Sequence, residues 1–375
     1  MITGATLFTG GGGADLGMAA AGIKILWGID NDPQIVAVAR TNGLPVQLGD
    51  IRSVSPNQQH VDFLHASPPC PHFSTANPNR GETAQDIAIA KGVVRFVRML
   101  SPRFFTLENV SAYRHSKSFG LIRRGLADLG YMTHAALVNF ADLGVPQTRR
   151  RLILRAVRGA LLPPLPLAAP WRGWYQAVED LLSDLPETQF APWQVARGVD
   201  KLVRQTCMVA QGSYDKGALG LRLGREPAFT ITGNSNMAGL RAFLVDSGNA
   251  SSLTTRRGDE PAFAMVSSMG EHGTRPRAFV VDDQNNGAPD ENGRRGLTVR
   301  QAHEPIFTVS ATQTKCSLRA AVGGRVVALS PRCGARFQTI PDSYVLSGRN
   351  ALDWRIIGNA VPPLAMRRIC EGLLR

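Results

Sequence analysis

The sequence predicts an α/β fold with a smaller β-rich insert, on three observations. Strand and helix signals alternate through the first 160 residues. A proline-rich stretch, Leu162-Pro163-Pro164-Leu165-Pro166-Leu167 followed by Pro170, then breaks the alternation. Beyond it, short β-branched units recur between turn residues. Glu226-Pro227-Ala228-Phe229-Thr230-Ile231-Thr232 returns at Glu260–Val266 and again at Glu304–Ser310, and Arg241–Asp246 returns at Arg277–Asp282.

Strands are expected at 5–9, 24–30, 45–49, 61–67, 103–107, 133–139 and 151–157, and helices near 14–22, 33–42, 84–100 and 117–130. The alternation reads as a parallel sheet. The domain boundaries follow: 1–160 as the first part of one domain, 161–325 as the insert, and 326–375 as a basic, helix-like segment returning to the first domain.

The chain has 375 residues and is 43% hydrophobic, enough for a full core. No apolar run approaches the roughly 20 residues that span a bilayer. Met1 leads directly into a strand-like segment, so no signal peptide and no membrane partner are expected. The five cysteines (70, 207, 316, 333, 370) form no CxxC pair and no metal-ligand pattern, which points to a reduced, cytoplasmic protein without a metal. Net charge is +13. Residues 1–160 carry 17 Lys+Arg against 10 Asp+Glu, residues 161–325 carry 18 against 16, and residues 326–375 carry 7 against 3. The positive charge sits in the two ends, and a polyanion, nucleic acid first, is the expected partner.

Chemistry-bearing residues fall at predicted strand ends. Val61–Ala66 runs into Ser67-Pro68-Pro69-Cys70, where two prolines stop the strand and deliver a thiol at the sheet edge. On this motif alone Cys70 reads equally as a nucleophile or a small buried hydrophobe. Phe8-Thr9-Gly10-Gly11-Gly12-Gly13 follows the first strand and opens a helix, without the strict GxGxxG spacing of an NAD site. Asp30 ends the second strand, placed to take both hydroxyls of a ribose, and Asp50 ends the third, placed to accept from an adenine amino group. Glycine loop, acid and acid on successive strand ends describe an adenosyl site. Glu108-Asn109 ends a later strand, where a buried carboxyl can act as a general acid. Gln147-Thr148-Arg149-Arg150-Arg151 follows a rigid Gly144-Val145-Pro146 turn and suits phosphate or base contacts, or a solvated charge run.

Taken in order, these motifs resemble a cytosine carbon-5 DNA methyltransferase. The matching residues are Phe8–Gly13, Asp30-Asn31-Asp32-Pro33, Pro69-Cys70, Glu108-Asn109-Val110, Gln147–Arg151, then Arg332, Arg336-Phe337-Gln338, Pro341-Asp342 and Gly358-Asn359-Ala360-Val361-Pro362. They cover 5–157 and 329–370, and the insert takes the place of the family's target-recognition domain. There are two departures. Pro71 stands where the family usually has glutamine after the cysteine, and Asp30 replaces a glutamate.

The resemblance implies a Rossmann-like domain binding S-adenosyl-L-methionine through Phe8, Gly10, Gly12, Gly13, Asp30, Asn31, Asp50, Ile51, Pro68, Asn359 and Val361. It implies that Cys70 adds to carbon 6 of a flipped-out cytosine, with Glu108 on ring N3, Asn109 positioning the glutamate or the base, and Arg149 and Arg151 on the ring carbonyl and phosphates. Double-stranded DNA would lie in a basic cleft, met by Ser74, Gln147 and Arg149 and, in the repeat loops, by Arg256, Arg257, Arg294 and Arg295. A monomer in the cytoplasm, associated with the nucleoid, is expected, with room for a companion restriction endonuclease as a separate protein. Three other readings stand beside this one. A tRNA cytosine methyltransferase shares the chemistry but usually carries a Cys-Phe-Thr motif absent here; a non-catalytic DNA-binding relic is disfavoured by the intact Cys70, Glu108 and Arg149; an NAD oxidoreductase is disfavoured by the glycine spacing.

Overall fold

In the computed structural model the described residues are 1–55, 59–69, 72–73, 81–165, 169–186 and 325–374, together with strand segments between 208 and 322. They fall into two compact units. One comprises Met1–Val145, Arg149–Pro170 and Gln338–Arg375, and the other Pro146–Thr148 and Trp171–Phe337.

The first unit is built on a seven-stranded sheet in the order β3-β2-β1-β4-β5-β8-β6. Its strands are β1 (Thr3–Leu7), β2 (Lys24–Asp30), β3 (Val46–Leu48), β4 (Phe63–Ala66), β5 (Phe104–Asn109), β6 (Tyr131–Asn139) and β8 (Arg150–Arg158). β4 and β5 are buried along their whole length, as expected for strands covered on both faces. The helices are α1 (Gly13–Ala20), α2 (Pro33–Thr41), α3 (Ala84–Leu100) and α4 (Lys117–Asp128), joined late in the chain by α7 (Asn350–Asn359) and α8 (Pro363–Glu371). Their starts are written in the sequence. Asp32 caps α2 by accepting from the backbone N–H groups of Gln34 and Ile35, with Pro33 in the first turn. Thr83 and Asp86 close a capping box on α3.

Successive side chains alternate between the two faces of the sheet. Ala5, Leu7, Leu64, Ala66, Phe105 and Leu107 share a core with Phe96 of α3 and Phe119 and Ile122 of α4. On the opposite face Phe63, Phe104 and Val157 pack with Met18 of α1 and with Met366 and Cys370 of α8. That second face also carries a row of neighbours in register, Thr6, His65, Thr106 and Arg155, all at most 2% exposed.

One expectation needs correcting. The sheet is mixed, because β8 runs antiparallel to both β5 and β6. Only ten residues separate β6 from β8, fewer than a parallel crossover requires, so the chain must reverse.

The C-terminal segment is tied directly to the glycine loop and the first two helices. Tyr344 donates its hydroxyl to Gly11 O at 2.8 Å, Arg355 pairs with Asp32 at 2.9 Å, and Asn42 exchanges hydrogen bonds with the Val345 backbone. The tightest approach is at Gly13, where an added Cβ would lie 2.4 Å from Val361 O and 3.2 Å from Ala360 Cβ. Helix propensity alone would favour alanine there by about 1 kcal/mol. A clash with backbone cannot be relieved by a rotamer change, so overpacking should win, at about 1–3 kcal/mol. Gly13→Ala is therefore expected to lower the urea midpoint of unfolding, and an unchanged or raised midpoint would count against this close approach.

The second unit contains α5 (Trp174–Val178), α6 (Pro331–Phe337) and β-rich segments. One sheet runs β10 (Arg241–Ala242), β9 (Met208–Val209), β13 (Phe279–Asp282), β16 (Leu318–Val322), β17 (Arg325–Leu329), with β14 (Thr298–Gln301) also on β13. β11 (Val245–Asp246) pairs with β12 (Thr254–Thr255), and β15 (Ile306–Phe307) with β7 (Gln147–Thr148). β17 leads into α6, whose Arg336 pairs with Asp180. The repeat units at Glu226–Thr232 and Glu260–Val266 lie outside the described residues. Among the described residues no helix is long and apolar enough to cross a membrane, and no His/Cys/Asp/Glu group could hold a metal.

Candidate active site

β1 has β2 on one side and β4 on the other, so the winding of the sheet reverses between β1 and β4. At such a reversal the carboxyl ends of the strands open a crevice for ligand. Four of the predicted motifs follow the ends of the parallel strands β1 to β4 on that edge, and Glu108-Asn109 ends β5 beside them.

The glycine loop leaves β1 with Phe8 at φ 61, a left-handed conformation that costs a non-glycine residue about 1 kcal/mol or more. Gly10 and Gly12 also have positive φ, at 57 and 84. A Cβ on Gly10 would meet nothing within 4 Å, so the backbone there faces open space that a ligand can fill. Asp30 braces the loop, accepting from Gly10 N at 2.8 Å and from Asp32 N at 3.0 Å. Burial raises its pKa, and these backbone donors only partly offset that. Asp50 is held well below the usual carboxylate range, chiefly by the Arg52 guanidinium, which donates to both of its oxygens.

These residues enclose a pocket. Phe8, Ile29, Asp30 and Asn31 form one side, and Gly49, Asp50, Ile51 and Arg52 form a second. Pro69, His72, Gln85, Asp86 and Ile89 complete it. Among the other predicted donor residues, Pro68 is buried beside the pocket's Pro69, Gly12 and Gly13 lie under Leu44 and Val361 O, Asn359 is exposed at the end of α7, and Val361 is buried.

Next to this pocket, Glu108 and Asn109 are 6% and 2% exposed. Arg151 Nε lies 3.0 Å from Glu108 Oε1. The charges touch, although the N–H is not aligned for a hydrogen bond. The Asn109 side chain bonds elsewhere than to the Glu108 carboxylate. Its Nδ2 donates to Pro68 O at 3.0 Å, and its Oδ1 accepts from Val110 N. It therefore ties the end of β5 to the turn after β4, while Ser67 ties that turn to the glycine loop by donating to Phe8 O.

Arg149 differs most from expectation. It is 2% exposed, and its Nη1 donates to Gly358 O at 3.1 Å, at the carboxyl end of α7. That bond ties its side chain to the end of α7. Arg150 is the exposed member of the run. Gln147 is buried, and its side-chain amide has no hydrogen-bond partner among the described residues. Cys70, Ser74, Arg256, Arg257, Arg294 and Arg295 lie outside the described residues.

The family model for C-5 cytosine-specific DNA methylase matches residues 2–375. The chain belongs to this family. It is a DNA (cytosine-5) methyltransferase, with DNA as substrate and a methyl donor as co-substrate. Relatives in the family include the Type II methyltransferase M1.HphI of Haemophilus parahaemolyticus, 25% identical over 98% of this chain and 86% of the relative. The Type II methyltransferase M.DdeI of Desulfomicrobium norvegicum is 25% identical over 98% and 87%. Among solved structures, the Entamoeba histolytica methyltransferase EhMeth matches 100% of this chain and 98% of its own at a TM-score of 0.57 and 14% identity, which speaks for the methyltransferase fold.

Sequence reasoning overlooked two groups in this methyltransferase. Tyr344, which clasps Gly11, stands in no motif. His72 and Asp86 meet across fourteen positions, His72 Nδ1 lying 3.0 Å from Asp86 Oδ2. The Thr83-x-x-Asp86 spacing advertises only a helix cap.

Proposed function

We propose that this chain methylates carbon 5 of a cytosine flipped out of duplex DNA, with S-adenosyl-L-methionine as donor and Cys70 as the attacking thiolate. The donor pocket supports the choice of donor. Within it, a carboxylate at each of two strand ends and the Phe8 ring suit the sugar and purine of an adenosyl group, and the open backbone at Gly10 lies outside its lining. S-adenosyl-L-methionine, once bound, supplies an electrophilic methyl group. Phe8, Asp30, Asn31, Asp50 and Ile51 would hold its adenosyl part, and Gly10, Gly12, Gly13, Asn359 and Val361 the rest.

The observation that carries the reading is the Asn109 bridge. It fixes the buried Glu108–Arg151 pair against the Pro68-Pro69 turn that leads to Cys70. Carbon 5 of cytosine is a poor nucleophile. Addition of the Cys70 thiolate to carbon 6 makes carbon 5 enamine-like. Glu108 would bond ring N3 and offset the charge that develops, and Arg151 would hold Glu108 and reach the ring carbonyl. Arg149 acts through α7, as a positioning residue. Carbon 5 would then take the methyl group as the donor's sulfur–methyl bond breaks, leaving S-adenosyl-L-homocysteine; a base removes the carbon-5 proton, the C5=C6 bond re-forms and the thiolate leaves. A stacked base cannot present its ring in this way, so the base leaves the duplex.

The insert, residues 161–325, would read the target bases, with Arg256, Arg257, Arg294 and Arg295 as base or phosphate contacts, and Ser74 and Gln147 would be further DNA contacts. The relatives are Type II methyltransferases, so a separate restriction endonuclease of the same specificity is the natural companion of a monomeric, cytoplasmic modification enzyme. Bisulfite sequencing of DNA from cells expressing the chain should show protected cytosines within one short sequence. Protection confined to RNA would overturn the reading.

A further inference from the structure

We propose that His72, oriented by Asp86, is a donor-binding residue that contacts the adenosyl part of the methyl donor. The inference rests on the reading of the pocket as the donor site.

The imidazole is 35% exposed, so it is no core histidine. Asp86, at 5%, is buried. Its carboxylate accepts from Thr83 N and Thr83 Oγ1, both at 2.7 Å, and from His72 Nδ1. Despite the desolvation of its site, these bonds hold its pKa below the usual range. A carboxylate can only accept, so Nδ1 carries the proton. That fixes the tautomer and leaves Nε2 as the ring atom free to meet a ligand, an acceptor in the neutral imidazole. A purine amino group is a matching donor.

The neighbouring residues hold the ring in place. Phe73 is 8% exposed, with its ring edge-on to Tyr113 at 4.9 Å. Gly81 N donates to His72 O. The site therefore pre-exists the ligand, which lowers the cost of binding.

The pocket lining decides which part of the donor is met. His72 shares the pocket with Asp30, Asp50 and Ile51, at the ends of β2 and β3, whereas Gly10 to Gly13 do not line it. His72 thus belongs with the sugar and purine end.

The test is calorimetric titration of the full chain with S-adenosylhomocysteine and with 5′-methylthioadenosine, which lacks the amino-acid end. His72→Ala should weaken both ligands by the same factor, about tenfold, the scale of one lost hydrogen bond to a ligand. His72→Gln, which keeps an acceptor, should lose less. Asp86→Asn should weaken both in the same direction, and the double variant should be no worse than His72→Ala, because Asp86 acts through the imidazole. Asparagine still accepts from Thr83, so the α3 cap survives. Affinities of His72→Ala and His72→Gln within about twofold of wild type would overturn the proposal. So would a loss confined to S-adenosylhomocysteine, or additive losses in the double variant. A wild-type chain that binds neither ligand would overturn the donor-site reading itself, and this inference with it.

Discussion

Replacing Cys70 with serine is expected to abolish methyl transfer, by a factor on the order of 10³ or more, while leaving donor affinity nearly intact. A hydroxyl near neutral pH is almost wholly protonated and a far weaker nucleophile than a thiolate. Among the described residues of that edge, Glu108 is paired with Arg151, and Asn109 holds Pro68 O. Donor binding should survive, because the described pocket is walled by Phe8, Asp30, Asp50 and Ile51 on other strand ends. A duplex carrying 5-fluorocytosine sharpens the test. Fluorine cannot leave as a proton does, so wild-type protein should form a complex that resists denaturant, and Cys70→Ser should form none. Turnover by the serine variant close to wild type, or trapping that persists in it, would move the nucleophile elsewhere.

The strand-end chemistry was legible in the sequence because it is local. β2 falls at 24–30 and α3 at 84–100, as the periodicity predicts, and the glycine loop, Asp30, Asp50 and Glu108 all follow or end their strands. Strand direction was not legible, because an apolar run carries no arrow; the ten-residue gap before β8 was the available sign. The surroundings of the arginine run were not legible for a different reason. A long side chain can reach a helix end or a phosphate with equal ease, and only the tertiary fold brings Gly358 O, 209 positions away, to Arg149. His72 and Asp86 meet on the same terms: each residue alone is ordinary, and the pair exists only once α3 lies beside the β4 turn.

Asp15→Asn is expected to stabilise the protein at alkaline pH, by up to about 4 kcal/mol, with the gain vanishing in acid. Asp15 sits on α1, wholly buried, facing the polar row of the sheet. Its Oδ1 accepts from Thr6 Oγ1 at 2.9 Å, and Oδ2 has no partner among the described residues. Burial pushes its pKa up to about 7, with the Thr6 hydroxyl and a backbone N–H opposing. The unfolded chain releases this proton near pH 4. Between those values the folded protein holds a proton that the unfolded chain has lost. The group's stabilising contribution is therefore complete below about pH 4 and is lost as pH rises through about 7. A gap of about three pH units at 1.36 kcal/mol each sets the upper size. Asparagine keeps an acceptor for Thr6 and cannot ionise, so it escapes the loss. The neighbouring His65, which burial pushes down to about 3, is already neutral across the window and cancels between the two proteins. Urea unfolding at about pH 3.5, 5.5 and 8 should show the variant nearly level with wild type at the first, above it by about half the full gain at the second and well above it at the last. A difference that stays constant across the three would mean that Asp15 does not titrate there. Thr6 also bonds Thr9 of the glycine loop at 2.8 Å, so the Asp15 carboxyl and the loop share one hydroxyl network.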